Sequence, residues 1–279
     1  MKTLLTIAVI ALMATTSLAQ ETKQDGKLTD NDRLQIAVQK ICPVSGQELG
    51  SMGDPIKVKV GEQVAFLCCK GCQGKQLSAE HWKTIQSNLA AAQGTCPIMG
   101  KAVDSTMKST VVNGQQVFVC CPPCIAKIQA DAEGSLKKVK ASYASFVAAQ
   151  RQAKSDEMHA KAQGICPVTG QKLGSMGEPV KVKVGEEETA FLCCKGCVGK
   201  QIKPEHWKTI QANLAAAQKI CPVMGKAVDA SMKSTVVKGR KIFVCCPPCI
   251  KKIQEDPEAY VAKLDAQIAA ASDELTQKK

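Results

Sequence analysis

The stretch STVVNGQQVFVCCPPC, residues 109–124, decides how this chain is read. Thr110-Val111-Val112 and Gln116-Val117-Phe118-Val119 flank Asn113-Gly114, and Asn-Gly between alternating apolar residues is a strong short-range hairpin signal. The returning strand ends in Cys120-Cys121-x-x-Cys124, and Cys96 stands upstream in a Cys-Pro pair. Three more copies of this arrangement exist: Cys42 with Cys68, Cys69 and Cys72; Cys166 with Cys193, Cys194 and Cys197; Cys221 with Cys245, Cys246 and Cys249. Together they account for all sixteen cysteines. Thiol quartets repeated this regularly predict four soft-metal sites or four disulfide clusters rather than core filling.

Around each quartet the residues read as a knuckle, a hairpin and a helix. In the first copy Ile56, Val58 and Val60 alternate, Gly61-Glu62 turns, and Val64 and Phe66 alternate back. Ser78 can cap a helix with the stripe Trp82, Ile85 and Leu89. Pro204 opens the equivalent helix ahead of Trp207, Ile210 and Leu214. From about Ser135 to Gln163 one long helix joins the halves, with Leu136, Val139, Tyr143, Phe146 and Val147 on its apolar face. A similar helix from about Pro257 ends the chain.

The chain is duplicated. SMGDPIKVKVGEQVAFLCCKGC returns as SMGEPVKVKVGEEETAFLCCKGC, and CPIMGKAVDSTMKSTVV as CPVMGKAVDASMKSTVV. The offset is 124 residues at Cys42/Cys166 and 125 from Cys68/Cys193 onward, so one residue was inserted near Glu186–Glu188. The order is A-B-A′-B′. The expected fold is α+β, with four small zinc-ribbon or treble-clef-like ββα modules in two duplicated pairs joined by helices. The expected boundaries are a signal peptide (1–19), a disordered polar linker (20–38), module A (39–94), module B (95–134), a helical linker (135–163), module A′ (164–219), module B′ (220–256) and a C-terminal helix (257–279).

Lys2, the apolar run Leu4–Met13 and the small-x-small Ser17-Leu18-Ala19 read as a secretory signal peptide, too short for a membrane span. The expected location is extracytoplasmic, periplasmic or secreted. An oxidising compartment favours disulfides, and sixteen cysteines pair evenly. Only 3% of residues are aromatic, so the cores are small and need metals or disulfides as staples. The formal charge is +12, but the arginines are only Arg33, Arg151 and Arg240, and the lysines are dispersed. That pattern fits a solvated surface rather than a nucleic-acid interface, and no peripheral membrane contact is indicated. Divalent ions on sixteen thiolates would add net negative charge, which the basic excess would offset.

A hairpin ending in Cys-Cys-x-x-Cys and running into a helix supplies thiolates on short rigid loops, and the helix N-terminus lowers thiol pKa. At this point the quartets resemble TRASH and YHS-type domains, a superfamily of small heavy-metal-binding modules. CPVMGKAVD, IFVCCPPC and KKIQEDPEAYVAKL of the last repeat are the segments most similar to the bacterial YHS-like form. The resemblance covers nearly everything after residue 40. It implies metal ligation by Cys42, Cys68 and Cys72; Cys96, Cys120 and Cys124; Cys166, Cys193 and Cys197; Cys221, Cys245 and Cys249. Here the spacers hold 25, 23, 26 and 23 residues, longer than in that family, and the Tyr-His-Ser signature is absent. The fourth ligand stays open between the extra cysteine (Cys69, Cys121, Cys194, Cys246), a water, and methionine in the B repeats.

The knuckle position three residues after the first cysteine holds Ser45, Met99, Thr169 and Met224. A thioether ligand would favour copper(I) over zinc. Met52, Met107, Met176 and Met232 recur in the loops and are expected to fill irregular small cores. His81 and His206 occupy matching helix positions at unsuitable ligand spacing and are expected on the helix surface, while His159 has no counterpart and reads as incidental. Trp82 and Trp207 read as core anchors. Cys121-Pro-Pro-Cys124 and Cys246-Pro-Pro-Cys249 match the dithiol of oxidoreductases but end a hairpin instead of lying in a βαβ unit. No catalytic constellation is present, so a binding protein rather than an enzyme is expected. Its ligands are zinc or copper ions held by all four quartets, for sequestration, buffering or presentation. The alternatives are a secreted protein stapled by disulfides and a thiol-disulfide exchange protein. No protein partner can be named.

Overall fold

The computed structural model describes residues 20–21 and 28–277; the expected signal peptide lies outside the described residues. The chain divides into two compact units, residues 1–149 and 150–279. The fold is α+β, with small antiparallel sheets and seven α-helices among the described residues.

In the first unit β1 (Gln20–Glu21) pairs with the outer edge of β2 (Ile56–Val60), which pairs antiparallel with β3 (Gln63–Leu67). Helix α1 (Asp30–Gln39) precedes this hairpin and α2 (Ala79–Gln93) follows it. The second hairpin is β4 (Ser109–Val112) with β5 (Gln115–Phe118), followed by α3 (Pro123–Ala130) and α4 (Ala132–Gln163). Helix α4 begins in the first unit and ends in the second. There β6 (Val180–Val184) pairs with β7 (Glu188–Leu192), α5 (Pro204–Gln218) follows, β8 (Ser234–Val237) pairs with β9 (Arg240–Phe243), and α6 (Pro247–Glu255) and α7 (Pro257–Gln277) close the chain.

The local signals act as their chemistry requires. Ser78 Oγ accepts from the His81 N–H at the start of α2, and Pro204 stands at the start of α5. Asn113 and Gly114 both have positive φ, 50° and 79°, as do Lys238 and Gly239. Two successive positive φ values match the twist of the flanking strands. Gly114 has a second task. The Val64 N–H on β3 donates to its carbonyl at 2.7 Å, and a Cβ there would lie 2.7 Å from Val64 Cγ2. Gly239 and Thr189 repeat this contact in the second unit. The A hairpin therefore docks on the turn of the B hairpin within each unit.

Residues 30–38 correct the expectation of a disordered linker over 20–38. They form α1, opened by a capping box in which Thr29 and Asp32 satisfy each other's backbone N–H groups. Composition was misleading because the polar residues have specific buried partners. Asp32 pairs with Lys57 on β2 at 2.8 Å, Gln35 donates to Gln115 Oε1, and Val38 is fully buried in the core.

The main core of the first unit joins Val38 of α1, Ile85 and Leu89 of α2, Val117 and Phe118 of β5, Ile128 of α3, and Leu136, Val139, Tyr143 and Val147 of α4. Its counterpart joins Ile210 and Leu214 of α5, Ile242 and Phe243 of β9, Ile253 of α6, and Leu264 and Ile268 of α7. Each A repeat adds a small separate core: Val58, Val60, Ala65 and Leu67 with Cys42, Cys68 and Cys72, and Leu192 and Val168 with Cys166, Cys193 and Cys197. Trp82 packs against both cores of its unit, and Trp207 against the main core of the second.

Candidate metal centre

Each site begins with a tight knuckle. The Cys42 N–H donates to Gln47 O at 2.8 Å and the Gly46 N–H to Cys42 O at 2.9 Å, folding Cys42–Gln47 back on itself. The same two bonds recur at Cys96, Cys166 and Cys221. The hairpin then delivers Cys68 at the end of β3. A turn closed by the Cys72 N–H donating to Cys69 O at 3.2 Å brings Cys72 back beside it.

One recurring side chain locks knuckle to hairpin. Gln39 is buried at the end of α1; its Nε2 donates to Phe66 O (2.7 Å) and Ile41 O (2.9 Å), and its Oε1 accepts from the Phe66 N–H (2.9 Å). Its amide thus acts as one extra rung of the β-ladder, two residues before Cys68 and three before Cys42. Gln93 does the same for Phe118 and Thr95, Gln163 for Phe191 and Ile165, and Gln218 for Phe243 and Ile220. These four glutamines position the thiol groups, a role that the cysteine pattern alone does not reveal. A signal was available, because every knuckle reads Gln-x-x-Cys-Pro.

The result is four groups of three thiols whose sulfurs all lie within 4.8 Å of one another and could hold a metal ion: Cys42, Cys68 and Cys72; Cys96, Cys120 and Cys124; Cys166, Cys193 and Cys197; Cys221, Cys245 and Cys249. A metal with bonds of about 2.3 Å to thiolate needs sulfurs roughly 4 Å apart. Cys68 and Cys72 stand 3.7 Å apart, Cys193 and Cys197 3.7 Å, and Cys120 and Cys124 4.0 Å. All sixteen cysteines carry free thiols.

The knuckle thiol is held below the ordinary thiol range, and so is the extra cysteine of each quartet, through hydrogen bonds with the neighbouring sulfurs. Burial pushes the Cys42 pKa up, but N–H groups of Ser45 and Cys68 and the Ser45 hydroxyl outweigh it and bring it to about 7. Burial likewise opposes, and backbone N–H groups outweigh it, at Cys96 (about 7), Cys166 (about 6) and Cys221. The last thiol of each group goes the other way. Burial first, then the neighbouring sulfurs, push Cys72, Cys124, Cys197 and Cys249 up to about 12. The knuckle thiol of each group is therefore biased toward thiolate, while the last thiol would need a cation beside it to ionise.

The extra cysteine stands outside each converging group but touches it. Cys69 lies 3.9 Å from Cys68 and 3.9 Å from Cys72. Cys121 lies 3.9 Å from Cys120 and 3.3 Å from Cys124, and Cys246 3.9 Å from Cys245 and 3.2 Å from Cys249. Cys194 repeats the A spacing, 4.0 and 3.9 Å.

In the A repeats Ser45 Oγ reaches Cys68 Sγ at 3.3 Å, and Thr169 Oγ1 reaches Cys193 Sγ at 3.5 Å. In the B repeats Met99 and Met224 occupy that position and are half exposed. Met52, Met107, Met176 and Met232 are also exposed, Met52 at 62%. The expectation that the loop methionines fill cores is corrected: these loops project outward, and the small cores are filled by thiols and by valine, leucine and alanine side chains instead.

The histidines lie outside the thiol groups. His81 and His206 are half-buried, each ring covering a knuckle glycine closely enough that a Cβ on Gly46 or Gly170 would sit 2.7 Å from Nε2. His159 is interior rather than incidental. It is 2% exposed, edge-on to Phe191 with ring centroids 5.3 Å apart, and its Nδ1 has no partner.

No protein-family model, curated protein or solved structure matches the chain.

Proposed function

We propose that this chain is an extracytoplasmic metal-binding protein that holds zinc or copper(I) in four cysteine sites, and that it sequesters, buffers or presents the metal rather than catalysing a reaction. The convergence of three thiols in each of four repeats carries the reading. Three sulfurs with no carboxylate among them form a soft donor set, suited to zinc and copper(I) and unsuited to magnesium or calcium. The N–H groups around each knuckle sulfur stabilise thiolate, the form that ligates. We read each hairpin, thiol group and following helical turn as a zinc-ribbon or treble-clef-like module, in line with the resemblance to TRASH and YHS-type domains. The signal-peptide-like N-terminus supports the location, where bound metal would also protect the thiols from oxidation.

The test is metal content and free-thiol count on protein isolated anaerobically from its native compartment. Four equivalents of zinc or copper per chain are expected, one per thiol group. Metal-free protein with its sixteen cysteines paired as disulfides would overturn the proposal and favour a disulfide-stapled protein instead.

A further inference from the structure

The converging groups use twelve of the sixteen cysteines and leave one in every quartet unexplained. We propose that this cysteine is an exchange ligand through which metal enters and leaves, an inference that rests on the metal-binding reading above. Cys69, Cys68 and Cys72 form a second triangle with edges of 3.9, 3.7 and 3.9 Å. It shares the Cys68–Cys72 edge with the first triangle. In the third repeat Cys193, Cys194 and Cys197 form the same figure with edges of 4.0, 3.9 and 3.7 Å. In the second, Cys120, Cys121 and Cys124 do so at 3.9, 3.3 and 4.0 Å.

The two triangles differ in access. Cys42 is 0% exposed and Cys166 is 0% exposed, whereas Cys69 and Cys194 are partly exposed. A metal held by Cys42, Cys68 and Cys72 can therefore cross the shared edge by replacing one ligand. The metal–sulfur bond to Cys42 breaks as the bond to Cys69 forms. The Cys69 thiol gives its proton to solvent as it binds and Cys42 leaves as thiolate, so one thiolate replaces another at the metal and no electrons move. At the rim triangle the metal keeps three sulfurs while one of them faces an incoming acceptor. The B repeats offer the more open passage, because Cys120 and Cys245 are partly exposed as well and the rim thiol sits at 3.3 or 3.2 Å from its neighbour.

The experiment loads the full chain with zinc and follows its transfer to a chromophoric chelator, for the parent and for a variant carrying Cys69→Ser, Cys121→Ser, Cys194→Ser and Cys246→Ser. The variant is expected to keep four equivalents of zinc, while its transfer rate falls about tenfold or more and stops depending on chelator concentration. Single variants Cys69→Ser and Cys121→Ser should slow only their own share of the transfer, with the faster phase belonging to Cys121. An unchanged rate, or loss of zinc stoichiometry in the variant, overturns the exchange role. In the second case the extra cysteine is a holding ligand. Failure of the parent chain itself to bind zinc or copper(I) would instead overturn the metal-binding reading.

Discussion

In the A repeats the thiols are much of the local core. Cys42, Cys68 and Cys72 pack with only Val58, Val60, Ala65 and Leu67 fully buried around them. In the B repeats Cys96 and Cys124 join a core that already contains Phe118, Ile85, Ile128, Val139 and Tyr143. The same thiol geometry is thus built on two foundations. A handful of small apolar side chains offsets little of the entropy of ordering a hairpin and two loops, so on the metal-binding reading proposed above an A repeat would lean on a bound metal. A B repeat rests on helices that bury their apolar faces with or without it.

The largest expected effect breaks this comparison directly. Stripping the metal with a chelator removes binding free energy of order 10 kcal/mol from each structural site. Amide exchange should then show β2–β3 and β6–β7 open while Val117–Phe118 and Ile242–Phe243 stay protected. Equal loss of protection in all four hairpins would end the distinction between A and B.

Next comes what the repeats share. Gln93→Ala removes the buried amide and leaves the N–H and C=O of Phe118 unpaired, at a cost of about 3 kcal/mol in urea unfolding of the first unit. Gln39→Ala should cost a similar amount but be felt mainly as weaker metal retention at Cys42, Cys68 and Cys72.

A third effect separates the two A repeats. The position of Gln35 in α1 is taken by His159 in α4. Burial first, then the positive charges of Arg240 and Lys181, hold the His159 pKa down at about 3. Arg240 is itself engaged with Ser155 and Asp265, and Lys181 with Asp156. The folded pKa is below the unfolded value near 6.5, so the unfolded state binds the proton first. The stability is fully present above pH 6.5 and declines as pH falls toward 3, by at most about 1.4 kcal/mol per pH unit. With metal occupancy held constant, the second unit should lose stability between pH 6.5 and 5, and His159→Gln should flatten that slope. A slope unchanged by the substitution would refute the assignment.

Smaller again is Gly114→Ala, which places a methyl against Val64 at a φ of 79° and should cost about 1–2 kcal/mol. Its mark is faster amide exchange in β3, because β3 docks on that turn. The smallest is Ser45→Ala, which removes the hydroxyl from Cys68 Sγ at about 1 kcal/mol or less and should weaken zinc retention several-fold at the first site alone.

Much of this was legible from short-range chemistry. Asn113-Gly114 and Lys238-Gly239 mark turns, and Ser78 and Pro204 mark helix starts, because each acts on its own backbone. What escaped were residues whose partners lie far along the chain. Thr29–Gln39 reads as polar coil until Lys57, Phe66 and Gln115 are placed against it. His159 reads as incidental until α4 is set on Phe191. The loop methionines read as core because apolar character says nothing about which way a knuckle faces.

By itself the sequence determined that there are four repeats, where each hairpin turns, and which sixteen thiols belong together in fours, since composition, spacing and local turn chemistry are properties of neighbouring residues. Only the tertiary structure decided that three sulfurs of each quartet converge while the fourth waits at the rim. It alone decided that a glutamine from the preceding helix sets the spacing, and that the A sites rest on small cores and the B sites on large ones. Those outcomes depend on contacts between segments some 25 residues or more apart, such as Gln39 with Phe66, and no local pattern encodes their distance.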